Sequence, residues 1–254
     1  MDHMTDSASK RVVLSCESGR MIIVDEQEPP CLGNAALLTM AQEGKEEGYV
    51  LFSQLPECPF DDCDTPGLFL SILTRPTTLP VQEAGLLSAA AAVAAARAIE
   101  RLSESEIRIR WVNDLLHDGE KLGSMSISTR LTPEGQLDYA VIGMMLCLSA
   151  EHFPPKLGDM IRRVFNGELR ELPSRLSDAI ALEFFSIYDH LSTDRSFMEE
   201  YRERSSVLGK RAKVLVGDTF LRGRVVDIDD HACLTVELRS GAQMTVASRS
   251  EIVF

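Results

Sequence analysis

The chain has 254 residues, of which 44% are hydrophobic and 26% charged, with a formal net charge of −13. That length buries a sizeable core, and that composition is ordinary for a globular protein. The acidity argues against nucleic acid as a partner, because phosphate contacts need clustered Lys and Arg. The longest apolar run, Leu86 to Ala96, is interrupted by Ser88, short of the roughly 20 residues that cross a bilayer.

The first residues, MDHMTDSASKR, lack the apolar core of a signal peptide. Six cysteines lie at positions 16, 31, 58, 63, 147 and 233. None forms a Cys-x-x-Cys pair or stands at a zinc spacing from a His. Reduced thiols, a cytoplasmic location, no membrane and no metal site are expected.

In chain order, Val12–Leu14 and Met21–Val24 flank Ser18-Gly19 as a hairpin. Asn34 opens a short helix that closes at Gly44 or Gly48. Strands are expected over Tyr49–Gln54 and Gly67–Arg75, separated by LPECPFDDCDTP, a loop of three prolines and four acids. Gln82–Leu102, Ala-rich and apolar nearly all round, reads as a helix buried against a sheet. Ile107–Ser128 reads as two strands around a polar turn, and Gln136–Ser149 as a third. From Lys156 to Arg204 the pattern is helical, with Pro173 and Ser174 opening the central helix. From Gly209 onward, turn signals at Gly217-Asp218, Gly223, Asp229-Asp230 and Ser240-Gly241 recur every 8–12 residues or so, the spacing of a small antiparallel barrel.

These elements carry a resemblance. Trp111-Val112-Asn113-Asp114-Leu115 is similar to the Lys-Trp-Pro-Asn-Asp-Leu signature of biotin protein ligases, with Arg110 for the Lys and Val112 for the Pro. Lys121 falls where that family keeps its active-site lysine in Lys-x-x-Gly. Here Ser124 takes the Gly position, and Gly123 stands one place early. Asn34 resembles the Asn of the family's Ser-Thr-Asn motif. Gln54 matches the Gln before its ligand loop, and Gly143 the first Gly of its Gly-x-Gly-x-Asn-x-Asn strand. Thr65–Pro76, and Tyr201–Ser205 with Leu208-Gly209 leading into the barrel, fit as well.

The resemblance implies an α+β fold: a mixed, mostly antiparallel sheet packed by helices, of the class II synthetase-like biotin/lipoate ligase type, then a small SH3-like β-barrel. The expected division is 1–20 as an extension with the first strand, 21–206 as the catalytic domain and 207–254 as the barrel. About thirty residues precede the catalytic pattern, so the family's DNA-binding domain is expected to be absent. Implied ligands are ATP, biotin and Mg2+; the implied partner is the biotin carboxyl carrier domain of a carboxylase, with a homodimer as a further possibility. Implied roles are Lys121 as catalytic cation, and Asn34, Gln54, Arg110, Trp111, Asn113, Asp114, Gly123 and Gly143 as the ligand and nucleotide site.

Two departures bear on activity. The family's loop is Gly-Arg-Gly-Arg-x-Gly, whose backbone N–H groups and arginines suit anionic ligands. This chain offers Glu57, Asp61, Asp62 and Asp64 instead, with Pro56 and Pro59 lacking N–H donors. At an effective dielectric near 20, a unit-charge pair at 4 Å is worth about 4 kcal/mol, so the sign reversal is large. In the strand, Met145, Cys147 and Ser149 replace the second Gly and both Asn residues.

Alternatives stay open at each position. Lys121 is either the adenylation cation or an ordinary residue ending a hairpin, and Arg110 to Asp114 either a nucleotide wall or a buried Trp beside turn formers. The acidic loop reads as a solvated segment, a partner-binding lid, or a metal or redox site at Cys58 and Cys63. At the level of function, the choices are a biotin protein ligase with an impaired site, a noncatalytic binding module, or a lipoate or octanoate ligase or transferase.

Overall fold

The structure, a computed structural model, describes residues 11–27, 33–55, 67–103, 106–147, 172–247 and 252–254. The acidic loop, Cys31, Cys58, Cys63 and the first of the three expected helices after Lys156 lie outside the described residues.

Strands β1 (Arg11–Ser15), β2 (Met21–Glu26), β3 (Tyr49–Leu55), β4 (Gly67–Thr74), β5 (Arg108–Arg110), β6 (Asp114–His117), β7 (Glu120–Leu131) and β8 (Leu137–Cys147) form one sheet. Among the described residues its order is β1-β2-β3-β4-β8-β7-β6-β5. Only β2 and β3 run parallel, joined by α1 (Gly33–Gln42); every other neighbouring pair is antiparallel. The expected mixed, mostly antiparallel α+β architecture is therefore present.

The expected pair of strands in Ile107–Ser128 is in fact three. Trp111-Val112-Asn113 forms a turn between β5 and β6, and Asp118-Gly119 turns β6 into β7. Both turn residues have positive φ, 50° for Asp118 and 89° for Gly119, the left-handed geometry that Asp and Gly tolerate best.

The sheet has two unlike faces. On one lie α2 (Gly85–Ser103) and α3 (Leu172–Tyr188), with α4 (Phe197–Glu203) packed on α2. Ala89 to Ala92 and Ala94 to Ala96 are fully buried. Their small side chains let α2 lie close to its neighbours at no rotamer cost, and Phe184, Phe185, Ile99 and Leu86 fill the rest. Among the described residues the other face carries only α1, whose Leu37 and Ala41 cover Leu51, Leu73, Tyr139 and Val141.

The second sheet holds β9 (Arg211–Val216), β10 (Thr219–Ile228), β11 (Leu234–Leu238), β12 (Gln243–Val246) and β13 (Ile252–Val253), in the order β12-β11-β10-β9-β13. Three of the expected turns fall between strands, but Gly223 lies inside β10. A Cβ there would come 2.4 Å from Val236 Cγ1, so the glycine allows close approach of β11.

Cys147 is disulfide-bonded, whereas a reduced thiol was expected; Cys16 and Cys233 are free. Among the described residues no helix is long and apolar enough to cross a membrane.

Candidate active site

Strand register decides which side chains share a face, because directly opposed residues point the same way. One row runs Ser53, Phe69, Met145, Ser124, Asp114 and Arg110. The next row, two residues along, runs Leu51, Ser71, Gly143 and Ser126. Both belong to the α1 face. The helix covers β3, β4 and β8 and leaves Ser126 on β7 exposed, so among the described residues half of this face is open.

The covered half is built around Asn34. Gly33 lets α1 settle onto the sheet, since a Cβ there would meet Ser71 Oγ at 2.8 Å. Ser71, fully buried, donates to Asn34 Oδ1 at 2.7 Å. A Cβ at Gly143 would lie 2.2 Å from Asn34 Nδ2. The gap at Gly143 therefore holds the Asn34 amide. A half-buried amide held on both sides supplies a fixed donor and acceptor.

The open half is built around Asp114. Arg110 Nη2 lies 2.7 Å from its Oδ2, and Lys121 Nζ 2.9 Å from its Oδ1. Lys121 reaches this face through an irregularity in the β6–β7 ladder, where the pairing skips Leu122. Burial pushes the Asp114 carboxyl up, but hydrogen bonds from Arg110, Ser124 and Lys121 outweigh it and hold it below the usual carboxylate range. The side chains of Arg110 and Lys121 stay 41% and 36% exposed, so both present charge to the open face.

Two strand spacings and one two-residue step separate Gly143 from Asp114, about 12 Å between backbones. Met145 occupies the ground between them, in register with Ser124 and almost fully buried.

The remaining expected residues go elsewhere. The indole of Trp111 donates to Ala232 O at 2.9 Å and meets the Phe254 ring edge-on at 6.5 Å. It thus pins the second sheet to the first. Asn113 holds the middle of β7, its Nδ2 donating to Met125 O and its carbonyl accepting from Met125 N at 3.1 Å. Gln54 opposes Leu68, and Gly123 opposes Leu146, on the α2 face. Sequence reasoning missed Ser71, Ser124 and Ser126. The period-two serines at 124, 126 and 128 were the readable signal, marking one polar strand face.

Among the described residues no group of three His, Cys, Asp or Glu side chains could hold a metal ion. Asp114 is a poor candidate ligand for Mg2+, because each of its oxygens already meets a cation.

Known proteins resemble this chain over much of its length. The profile of the biotin/lipoate A/B protein ligase family matches residues 64–146. The bifunctional ligase/repressor BirA of Bacillus spizizenii is 26% identical over 194 residues, 73% of this chain and 58% of that protein. The biotin–[acetyl-CoA-carboxylase] ligase of Mycobacterium tuberculosis is 27% identical over 201 residues, 73% of this chain and 68% of that one. The chain thus spans little more than half the length of its Bacillus relative. Among solved structures, a biotin protein ligase-like protein of unknown function from Silicibacter matches with a TM-score of 0.69 at 14% identity, over 93% of this chain and 97% of that one. The Aquifex aeolicus biotin protein ligase in complex with biotin and ATP matches with a TM-score of 0.62 at 13% identity, over 91% and 98%. These likenesses establish the fold.

Proposed function

We propose, for a chain that belongs to the biotin protein ligase family, an ATP-dependent ligase that joins biotin to a carrier-protein lysine at a reduced rate. In the first step the biotin carboxylate attacks the α-phosphorus of ATP and pyrophosphate departs, leaving biotinyl-adenylate. In the second, the ε-amine of an acceptor lysine attacks the acyl carbon and AMP departs. The acceptor fitting this reading is the biotin carrier domain of a carboxylase, by analogy with the Mycobacterium relative.

The observation that carries the reading is the convergence of Arg110 and Lys121 on Asp114 at the open half of the α1 face. Two half-exposed cations held by one carboxylate can turn to an arriving phosphate without moving the backbone, and their charge opposes what builds up on its oxygens. Asn34 and Ser71 supply the polar floor for the other end of the substrate. Lys121 is the catalytic cation in this scheme, with Arg110 beside it. Trp111, Asn113, Gly123 and Gly143 act as positioning residues, and Gln54 has no assigned contact. No step is routed through Mg2+.

The reduced rate follows from Met145. Its side chain stands on the substrate face beside Gly143, where the family's second Gly leaves room. The test is mass spectrometry of the protein incubated with biotin, ATP and Mg2+. Biotinyl-adenylate should form slowly, at least ten times faster in M145G, and not at all in K121A. If neither the parent chain nor M145G makes adenylate, the ligase reading fails. Calorimetry with biotin alone then separates a binding module from a ligase for another acid.

A further inference from the structure

The outer face of the second sheet carries a groove of about 780 Å3, lined by Arg211, Lys213, Arg222, Arg224 and Arg239 against one acidic side chain, Glu237, which stands directly opposite Arg224. Register makes the crowding explicit. Arg211 lies directly opposite Arg224, and Lys213 directly opposite Arg222. Like charges opposed across an antiparallel pair destabilise a sheet. Elsewhere in the fold arginines are neutralised: Arg97 by Glu183 and Glu200, Arg204 by Glu100 and Glu200. Among the described residues, none of the five groove cations forms an ion pair. In a chain of net charge −13, this patch runs against the general composition.

The rim is apolar. Val253 opposes Lys213 and is 49% exposed, Phe254 lines the groove and is 38% exposed, and Phe220 opposes Leu215 at the other end of the face, 47% exposed. Arginine interleaved with aromatic and aliphatic side chains is the composition of protein–protein contact surfaces.

From the like-charge lattice of Arg211, Lys213, Arg222 and Arg224 between apolar rims, we infer that this groove docks a carboxylate-rich polypeptide segment carrying a large apolar side chain. The inference is independent of the ligase reading. Charge complementarity selects an anionic partner. The partner is a polypeptide because the exposed Val253 and Phe254 beside the cations call for an apolar side chain next to the carboxylates, which a polyphosphate backbone does not carry. Aliphatic rims also suit a Leu or Phe anchor better than a stacked base.

The chain supplies its own reporter. Its one Trp, Trp111, meets Phe254 edge-on, so covering Phe254 changes the tryptophan emission. The probe is a ten-residue polyglutamate peptide with one central Phe, titrated into the full chain at about 50 mM salt, with calorimetry as the second readout. Saturable binding is expected, weakening as salt rises. Binding should weaken at least tenfold in R211E/R222E and about threefold in V253S. R211E/R222E places carboxylates opposite Arg224 and Lys213, so it should melt no lower than the parent chain and its loss is a loss of binding. A control reversal away from the groove, K45E/R130E, should bind as the parent does. The proposal is overturned if the peptide does not saturate below about 1 mM, if the control loses as much as R211E/R222E, or if a ten-nucleotide oligothymidylate binds more tightly than the peptide.

Discussion

Asn34 and Gly143 share one space: a Cβ on residue 143 would sit 2.2 Å from Asn34 Nδ2, and Ser71 holds the other side of the same amide at 2.7 Å. The glycine is therefore a steric requirement of the asparagine. G143A should cost about 2–3 kcal/mol in urea denaturation, by displacing the amide and leaving Ser71 without its partner. N34A/G143A should recover at least 1 kcal/mol relative to the sum of the single losses, as expected for residues in contact. Additive losses in that double-mutant cycle would show that the two do not share the space.

Asp114 joins the β5 end of the sheet to Lys121. D114N keeps the shape and removes the charge, leaving Arg110 and Lys121 facing one another. Because both cations are more than a third exposed, solvent screens much of the repulsion. The expected loss is about 1–2 kcal/mol, read from the urea midpoint. Adenylation should fall as well, since the two cations lose their common anchor.

Acid should destabilise the protein through two carboxylates. Burial pushes Asp114 and Glu200 up, yet Arg110, Ser124 and Lys121 around the first, and Arg97 and Arg204 around the second, hold both below their ordinary values of 3.8 and 4.5. A depressed folded-state pKa contributes stability that is complete above the unfolded value and lost as pH falls through the folded one. Melting temperature should thus be flat near neutrality and drop below about pH 5, and D114N/E200Q should show a shallower drop. An equal slope in parent and variant would assign acid sensitivity to other groups.

Trp111 fastens the second sheet. W111F retains most of the apolar bulk but deletes the N–H that Ala232 O accepts. A cost of about 1–2 kcal/mol is expected by circular dichroism. Amide exchange should quicken first in the turn around Asp229 to Ala232, which also meets the first part of the chain through Arg202–Asp230 and His231–Glu83.

The sheet, the Ala-rich buried helix and the short strands of the tail were legible because each rests on local periodicity. Ala89 to Ala96 can only be interior, and Ser-Gly and Asp-Gly pairs can only be turns. The site was half legible. Motif spacing brought Arg110, Asp114 and Lys121 together, and their ion pairs followed. Motif spacing carries no parity, however, and parity decides the face: Gln54 and Gly123 lie on the helix-covered side because each is one residue out of step with Ser53 and Ser124. The surroundings of Trp111 were not legible for another reason. Its partner, Ala232, is 121 residues away, and a contact of that range leaves no trace in a short motif.

Among the described residues, one face of the large sheet is covered by α2 and α3, with α4 behind α2, and the other by the single short α1. Substitutions along the uncovered ribbon of β7 therefore meet water before they meet the interior. Ser126 and Ser128 can change identity while the hydrophobic layer behind them stays as it is, whereas Ser124 is tied to Asp114. A strand arranged this way can change its outward side chains one serine at a time, at little risk to the ability of the chain to fold.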